Sequence, residues 1–412
     1  MTLIECFTEA HIDNMAACLR LQPETMILVG PAKNMDHAVP CYRKLLAQRG
    51  QKTKIVTRDV SGKDFGDICA VLTELIRREA EYVIDLTGGG EMVIMAVGAV
   101  YQSLDTRQRQ HVQVQKYDHR QEAFLDCLHD NRVIPGPQVE LSVEELIMLY
   151  GGMILPGAYQ PPRNSERSDV ASLWKFTSAN PKDWNQKVNQ FSTFEKYVKA
   201  GTHVYLKPGE LEEPISDCQQ KEDAFREFLS ELDRCGVLND RSRPGVLDYT
   251  YPSELLRYCT NKAGNTLEVK TLLEGRAVLN NNIPLFQDGR MSVSIDWDGV
   301  IKDSEKDPET RNEIDVVLMH GLTPLFISCK NGDIGEEELY KLHTVATRFG
   351  GPHVRKMLIA TKLSQYKAPK SRDSLMQRAK DMDILLITDA SQLSGKGWQE
   401  LFHRAIRKEQ NI

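Results

Sequence analysis

A regular alternation of strand and helix patterns over about the first 120 residues constrains the fold of this chain most strongly. Short apolar runs alternate with segments that have the length and periodicity of helices. Strands and helices in this order form right-handed βαβ units, so the sequence predicts an α/β fold with a doubly wound parallel sheet. The predicted strands are Leu3–Phe7, Thr25–Val29, Thr53–Val56, Tyr82–Leu86 and Val112–Val114, and the predicted helices are Ile12–Leu21, Asp36–Arg49, Asp64–Glu79 and Glu91–Leu104.

Three loops of this predicted sheet are candidates for ligand binding, because ligands of such sheets bind outside the carboxyl ends of the strands. The loop after the fourth strand is Thr87-Gly88-Gly89-Gly90-Glu91, where glycines allow close backbone approach and a helix N-terminus offers free N–H groups. Thr8 and Glu9 follow the first strand, and residues 30–34 follow the second. No dinucleotide or P-loop signature is present. A tight turn without a ligand is the alternative interpretation of each loop.

The composition describes an ordinary globular chain of 412 residues, with 41% hydrophobic and 27% charged residues. This length exceeds what one core usually serves, so two or three domains are expected. We find no apolar stretch long enough to span a membrane and no basic start before an apolar run, so we expect neither a membrane anchor nor a signal peptide. The nine cysteines contain no C-x-x-C pair. We therefore expect free thiols and a cytoplasmic protein.

The strand–helix rhythm stops after residues 135–137, and residues 138–262 are predicted to form a mainly helical connector. Predicted helices lie at Val143–Tyr150, Asn185–Ala200 and Glu222–Cys235. The order of a helix at Asp223–Val237, a strand at Val246–Tyr251 and a helix at Pro252–Cys259 is compatible with a winged-helix-like unit that binds DNA. A structural connector is the competing interpretation, because Arg241 and Arg243 alone are weak basic cues for DNA binding.

A predicted β-hairpin from Asp315 to Lys330 suggests chemistry in the last part of the chain, residues 263–412. Two apolar runs flank the turn sequence Gly321–Pro324. A turn centred between Leu322 and Thr323 sets Asp315 directly opposite Lys330, with Ser328 on the same face. A cross-strand salt bridge worth only about 0.2–1 kcal/mol is the structural alternative. The other predicted elements are helices at Asn265–Leu273, Gly335–Phe349 and Ser374–Lys380 and strands at Met291–Ile295, Met357–Ala360 and Ile384–Ile387.

The net charge of −6 hides two local runs of opposite sign around this hairpin. Residues 296–315 contain eight acids against three bases, and residues 355–380 contain eight bases against one acid. An acidic run can hold a divalent metal and a basic run can hold a phosphate backbone. Two solvated surface loops are the alternative.

The order of these elements resembles the core of the PD-(D/E)XK nucleases, which are restriction-endonuclease-like α/β domains. The resemblance rests on Glu268 in the first helix, on Asp315 and on Ser328-Cys329-Lys330. It implies that Glu268 and Asp315 hold Mg²⁺ or Mn²⁺, and that Lys330 assists catalysis. Ser328 stands where many members have an acid, which leaves one carboxylate role unfilled. Glu268, Glu313 and the carbonyl of Cys329 are the candidates for the missing metal ligand.

The whole chain resembles the CRISPR ancillary nucleases, in which a Rossmann-like CARF domain is fused to a PD-(D/E)XK nuclease. The strings Asn312–Val316 and Phe326–Lys330 carry this resemblance, together with the Thr87–Glu91 turn. It implies a CARF domain at 1–137, the connector at 138–262 and a nuclease domain at 263–412.

This family resemblance also implies an allosteric homodimer that binds a cyclic oligoadenylate, most often cyclic tetra-adenylate. The activated enzyme would cut single-stranded RNA or DNA, or nick duplex DNA, in antiviral defence. Thr8, Glu9 and Thr87, Gly88, Gly89, Gly90 and Glu91 would line the activator site, and we call these residues the ligand loops. Glu91 departs from the lysine often found there. A ligand-sensing transcriptional regulator is the alternative function, and a nucleotide-binding metabolic enzyme is a third.

Overall fold

A computed structural model describes residues 1–76, 80–157, 162–195, 197, 201–211, 218–300, 311–363 and 369–407. The N-terminal part is a seven-stranded sheet with the strand order β3-β2-β1-β4-β5-β6-β7. Its strands are β1 Thr2–Cys6, β2 Thr25–Gly30, β3 Lys54–Asp59, β4 Tyr82–Asp85, β5 Val112–Asp118, β6 Ala123–Asp126 and β7 Arg132–Val133. Its helices are α1 His11–Leu21, α2 Ala32–Gln48, α3 Phe65–Leu75, α4 Glu91–Ser103 and α5 Thr106–Gln110.

The first five strands are parallel, which confirms the predicted parallel sheet. The last two strands add an antiparallel edge that the sequence reading did not predict. β1 pairs with β2 on one side and with β4 on the other, so the strand order reverses at this point. Loops that follow β1 and β4 therefore meet at the switch point of the sheet, where ligands of open α/β sheets bind. The C-terminal residues 77–79 of the predicted third helix lie outside the described residues.

The middle of the chain contains helices around a small antiparallel sheet with the order β10-β11-β9. Large aromatic side chains, including Trp184, Phe225 and Tyr249, fill its own core. The predicted helix–strand–helix order is present as α9, β11 and α10. The elements are α6 Val143–Leu149, β8 Met153–Ile154, α7 Arg167–Ala179, α8 Pro181–Glu195, β9 His203–Leu206, α9 Cys218–Arg234, β10 Asn239–Asp240, β11 Leu247–Thr250 and α10 Glu254–Asn261. Of the predicted 185–200 helix, residues 196 and 198–200 lie outside the described part.

The C-terminal part is a mixed six-stranded sheet with the order β18-β17-β16-β15-β14-β8. The long helices α11 and α14 cover one face, and α12 and α13 cover the other. The elements are α11 Asn265–Arg276, β12 Leu279–Asn280, β13 Ile283–Pro284, β14 Asp288–Asp296, β15 Arg311–His320, β16 Thr323–Lys330, α12 Glu336–Gly350, β17 Arg355–Ala360, α13 Pro369–Asp381, β18 Ile384–Ile387 and α14 Gly395–Arg407. A short 3-10 helix at Gly351–His353 links α12 to β17.

The predicted hairpin forms, but the predicted register is wrong by two residues. His320 pairs with Thr323 and Val316 pairs with Ile327, so the loop consists of Gly321 and Leu322 alone. Gly321 has a φ of 57°, a conformation that glycine adopts readily at the first position of a two-residue hairpin loop. Extending this register by one pair sets Ser328, not Lys330, opposite Asp315.

One continuous core connects the N-terminal sheet to the C-terminal sheet. Residues of α1 and α2, such as Leu45, share this core with Ile147 of α6 and Phe349 of α12. Arg49 also donates two hydrogen bonds of 2.6 and 2.8 Å to Glu145 of α6. Helix α6 thus lies between the sheet that carries the ligand loops and the sheet that carries the predicted nuclease residues. Among the described residues, no helix combines the length and apolarity required to cross a membrane.

Candidate active site

Asp315 lies in the middle of the C-terminal sheet at the point where β15 and β16 begin to pair. Its Oδ2 accepts a 2.6 Å hydrogen bond from the backbone N–H of Cys329 and a 3.1 Å bond from the Ser328 hydroxyl. Burial raises the pKa of Asp315, although the charge of Lys330 and these two hydrogen bonds oppose the rise. The sulfur of Cys329 points instead into the core beside Thr271. The strand geometry therefore brings a carboxylate and the Cys329 backbone together.

Glu268 lies in the first turn of α11 and is 3% exposed. Its Oε2 accepts a 3.3 Å hydrogen bond from Ser292, whose hydroxyl lies 2.9 Å from that of Tyr258. Burial, followed by the charge of Asp315, raises the pKa of Glu268 to about 7. The Glu268 carboxyl is buried and lies near the charge of Asp315, so the two groups are suited to share a bound cation.

Ser292 supports this site from a strained backbone conformation that the sequence does not reveal. It lies in β14 between Met291 and Val293, which pair with Val316 and Ile314, so the register places it opposite Asp315. Its φ of 48° is uncommon for a residue other than glycine. Strained positions of this kind persist where the surrounding structure holds them, often at functional sites.

Lys330 extends from the last residue of β16 toward α12. Its Nζ lies 2.9 Å from Oε2 of Glu338, which also contacts Lys341 at 2.9 Å. Burial lowers the pKa of Lys330, but the charges of Asp315 and Glu338 outweigh burial and raise it. Lys330 therefore remains cationic between two acids. Glu338 was not among the residues predicted from the sequence, because only the packing of α12 on β16 brings it near.

The acidic and basic runs contribute less to this site than their charge suggests. Buried Asp296 accepts hydrogen bonds from the backbone of Gly299 and Val300, which is a loop-stabilising role. Lys356 donates to the carbonyl of Met382, and Arg355 donates to that of Ile406. The acids at 303, 305, 307 and 309 and the base at 367 lie outside the described residues.

The ligand loops lie together at the carboxyl edge of the N-terminal sheet. In the sequence they are far from the predicted nuclease residues, which begin at Glu268. Thr87 Oγ1 accepts a 2.7 Å hydrogen bond from the Tyr117 N–H. A Cβ at Gly88 would overlap the side chain of Thr8. Gly89 has a φ of 99°, and a Cβ there would overlap Cβ of Cys6. Glu9 accepts a 2.9 Å hydrogen bond from Asn34, which brings the loop after β2 to the same edge.

Two buried acids lie beneath the ligand loops, on neighbouring strands β1 and β4. Glu5 pairs in register with Asp85, and both are fully buried. Asp85 accepts hydrogen bonds from the Thr87 N–H and from Gln115, yet burial raises its pKa to about 6. Burial and then the charge of Asp85 also raise the pKa of Glu5, whose two oxygens have no hydrogen-bond partner. The sequence analysis did not single out this pair, although an acid inside an apolar strand is the signal that would reveal it.

Glu91, the remaining ligand-loop residue, is exposed in the first turn of α4. Exposed apolar side chains follow it along this helix. Met92, Ile94 and Met95 are 48%, 37% and 57% exposed. Several large apolar side chains exposed on one helix can indicate an interaction surface.

The residues predicted to bind metal and to assist catalysis lie within a segment that matches a known domain family. Residues 256–396 match the family described as the Card1-like endonuclease domain, a range that includes Glu268, Asp315, Cys329 and Lys330. No curated protein matches the chain significantly.

Solved structures are similar to nearly the whole chain at low sequence identity. Protein VC1899 from Vibrio cholerae is 16% identical with a TM-score of 0.71, over 99% of this chain and 97% of its own. Can2 from Sulfobacillus thermosulfidooxidans, solved in complex with cyclic tetra-adenylate, is 16% identical with a TM-score of 0.64, over 98% of this chain and 97% of its own.

A third similar structure is a type III CRISPR defence DNA nuclease activated by cyclic oligoadenylate. It is 16% identical with a TM-score of 0.55, and the match covers 100% of this chain and 52% of that one. At these identities the structural similarity shows a shared fold. Residues 256–396 match the Card1-like endonuclease-domain family, and this match together with the shared fold supports the predicted resemblance of the chain to the CRISPR ancillary nucleases.

Proposed function

We propose that this chain is a metal-dependent endonuclease of CRISPR defence that a cyclic oligoadenylate activates, with cyclic tetra-adenylate as the expected ligand. The observation that carries the proposal is the grouping of Glu268 and Asp315 with Lys330 in a Card1-like endonuclease domain. The substrate is single-stranded RNA or DNA, or duplex DNA. The proposed division is 1–137 for sensing, 138–262 for connection and 263–412 for cleavage. Because the eight cysteines whose side chains the structure describes are free thiols, we propose that the protein acts in the cytoplasm.

The donor set around Asp315 fits a hard divalent cation such as Mg²⁺ or Mn²⁺. Glu268 and Asp315 supply carboxylate oxygens whose pKa values are raised mainly by burial and, for Glu268, next by the charge of Asp315, effects that a cation would offset. The N–H and C=O of a strand residue face the same neighbour, so the carbonyl of Cys329 faces the Asp315 side as its N–H does. Ser328 provides a hydroxyl rather than a second strand carboxylate, and exposed Glu313 lies two residues before Asp315 on the same face.

The bound cation would polarise the phosphate and lower the pKa of an attacking water. Lys330 contributes a positive charge beside the reacting phosphate, where it stabilises developing negative charge or orients the water. Glu338 restrains the ammonium group of Lys330 on the side away from Asp315. Ser292 and Tyr258 hold the Glu268 carboxyl in place.

Activation would begin at the ligand loops and reach the nuclease site through the shared core. The loops after β1 and β4 meet at the switch point of the sheet, and α6 packs between that sheet and the catalytic one. A ligand that binds the cleavage-competent arrangement more tightly shifts the population toward it. Glu91 carries the wrong charge for a phosphate, so we assign it to a ribose hydroxyl or to the surface outside the contact.

We also propose a homodimer in which the exposed apolar face of α4 pairs with its symmetry copy. Met92, Ile94 and Met95 provide that face beside Glu91 of the ligand loops. A two-fold interface presents each ligand loop twice, which suits a cyclic ligand that has two-fold symmetry.

The decisive experiment is a cleavage assay of the full chain with Mn²⁺ on labelled single-stranded RNA, single-stranded DNA and supercoiled duplex DNA. Each substrate is incubated with and without cyclic tetra-adenylate. The Lys330→Ala variant should lose activator-dependent cleavage, and Lys396→Ala, an 84% exposed lysine of the same domain, should retain it. Failure of every substrate with every cyclic oligoadenylate, together with specific duplex binding, would favour the transcriptional regulator instead.

A further inference from the structure

Three metal-ligating side chains from distant parts of the chain meet between the N-terminal and C-terminal sheets. Asp13 lies in the first turn of α1, His119 follows β5, and His353 ends the short 3-10 helix before β17. His119 Nε2 lies 2.7 Å from Asp13 Oδ1, and His353 Nε2 lies 3.4 Å from Asp13 Oδ2. One potential ligand atom from each residue lies within 4.8 Å of the other two.

The side chains are packed as a built cluster rather than as a chance surface contact. The side chain of Asp13 is 7% exposed, that of His119 is 14% exposed and that of His353 is 36% exposed. The two imidazole rings stack with centroids 3.5 Å apart and planes 17° apart. Tyr117 packs edge-on against His119 at 4.9 Å. His353 is the most exposed of the three side chains, so the cluster is open to solvent on the side of His353.

Charge balance favours a metal cation over two protonated histidines at this position. A buried carboxylate requires a nearby positive charge. Two imidazolium rings stacked at 3.5 Å would repel each other strongly. Neutral imidazoles with a carboxylate are instead the ligands that Zn²⁺ and related divalent transition metals prefer.

We propose that Asp13, His119 and His353 bind one divalent transition-metal ion of the zinc class, which joins the sensing sheet to the catalytic sheet. Three protein ligands leave a fourth position for water on the side of His353. This site is chemically distinct from the oxygen-rich site at Glu268 and Asp315, because it offers two imidazoles and only one carboxylate.

The position of this cluster connects it to both proposed sites. Asn14, the residue after Asp13, exchanges hydrogen bonds of 2.9 and 2.7 Å with the backbone of Thr8 in the ligand loops. His353 precedes β17, in which Leu358 pairs with Ser328 beside Asp315. A metal held here would fix the start of α1 relative to β17, and so the ligand loops relative to the catalytic sheet.

The test measures zinc binding in a background that lacks the other metal site. The full chain with Glu268→Gln and Asp315→Asn is stripped with a chelator, titrated with Zn²⁺ and analysed for bound metal after desalting. We expect one tightly bound Zn²⁺ per chain, a Zn²⁺-dependent rise in Tm and visible absorption bands when Co²⁺ is used instead. His353→Ala and His119→Ala each remove a direct ligand, so each should weaken binding by more than the roughly 10-fold to 100-fold that loss of an outer-shell partner costs.

A matched control is His129→Ala, which removes another histidine that contacts an aspartate, Asp126, at 2.9 Å. This variant should bind Zn²⁺ as its parent does. His353 is partly exposed, so His353→Ala gives the decisive comparison if His119→Ala does not fold. Equal Zn²⁺ affinity in the parent and in His353→Ala, or no bound Zn²⁺ in the folded parent, would overturn the proposal. Neither outcome bears on whether the chain is an activated nuclease.

Discussion

Lys330 and Glu338 form a 2.9 Å ion pair that links the end of strand β16 to the first turn of helix α12. The charge of Asp315 also acts on this lysine and helps to raise its pKa. The lysine is therefore held between an acid proposed to bind metal and an acid that does not belong to the metal site. Glu338 is accordingly a positioning residue, and its removal should change how Lys330 acts without removing a metal ligand.

Glu338→Gln should lower kcat by about tenfold with little change in KM, because it loosens Lys330 without removing a substrate contact. It should also shift the alkaline limb of the pH profile to lower pH, since Glu338 helps to raise the pKa of Lys330. Steady-state cleavage across pH measures both effects. Glu337→Gln, an exposed neighbour in α12, should leave both unchanged. A drop in activity without any shift of the alkaline limb would assign Glu338 a purely structural role.

The metal requirement should depend steeply on pH, because Glu268 has a pKa raised by burial to about 7. A proton and the metal compete for this carboxylate, so half-maximal Mn²⁺ should rise by about tenfold for each pH unit below 7. Above pH 7 it should level off. Metal titrations of activity at a series of pH values give this slope. A flat dependence between about pH 6 and pH 8 would remove Glu268 from the metal site.

The Gly89→Ala variant should weaken binding of cyclic tetra-adenylate, and Gly209→Ala, which lies outside the ligand loops, should not. Gly89 has a φ of 99°, and a Cβ there would lie 2.5 Å from Cβ of Cys6, so alanine strains the ligand loops. Gly209 is exposed, and a Cβ built there has no atom within 4 Å. Isothermal titration with the ligand compares the two variants, and about a tenfold loss is expected for Gly89→Ala alone. Equal affinities would place the ligand elsewhere.

The sequence predicted strands β1–β5 of the first sheet and β14–β18 of the second, because each has a clear local apolar pattern, but it missed the short edge strands β6, β7 and β8. The buried strand β18 is predicted at Ile384–Ile387 and observed at the same residues. The predicted cross-strand partner of Asp315 was wrong because the predicted turn was centred one residue too late in the sequence. A shift of one residue in the turn moves the cross-strand partner by two residues. Gly321 with its positive φ decides that turn, a choice that the apolar pattern of the strands does not encode.

Sequence patterns could not identify the residues whose role depends on tertiary packing. Glu338 belongs to an acidic helix start, Glu336–Glu338, in which no local feature distinguishes the residue that faces Lys330. Ser292 reads as an ordinary strand serine, and its strained φ is imposed by its neighbours. Asp13 and His353 are separated by most of the chain, and only the packing of two sheets on α6 brings them together.

The buried pair Glu5 and Asp85 should make the folded chain less stable as the pH rises. Both carboxyls have pKa values raised by burial, to about 6 for Asp85 and well above the usual value for Glu5. A raised carboxyl pKa contributes stability that is complete below the unfolded-state pKa of about 4 and is lost as pH rises through the folded-state value. Glu5→Gln cannot ionise, so its free energy of unfolding should fall less than that of the wild type between about pH 4.5 and pH 7.5.

Urea unfolding at both pH values measures this difference, which should reach about 1 kcal/mol or more for one pKa unit removed. Glu24→Gln is the matched control, because the side chain of Glu24 is 90% exposed before β2 and has only a 3.8 Å contact with the N-terminus. The ionisation of Glu268 contributes equally to all three proteins and cancels in the comparison. If Glu5→Gln and Glu24→Gln lost the same stability over this range, Glu5 would have to ionise as a solvated acid, in conflict with its burial beneath the ligand loops.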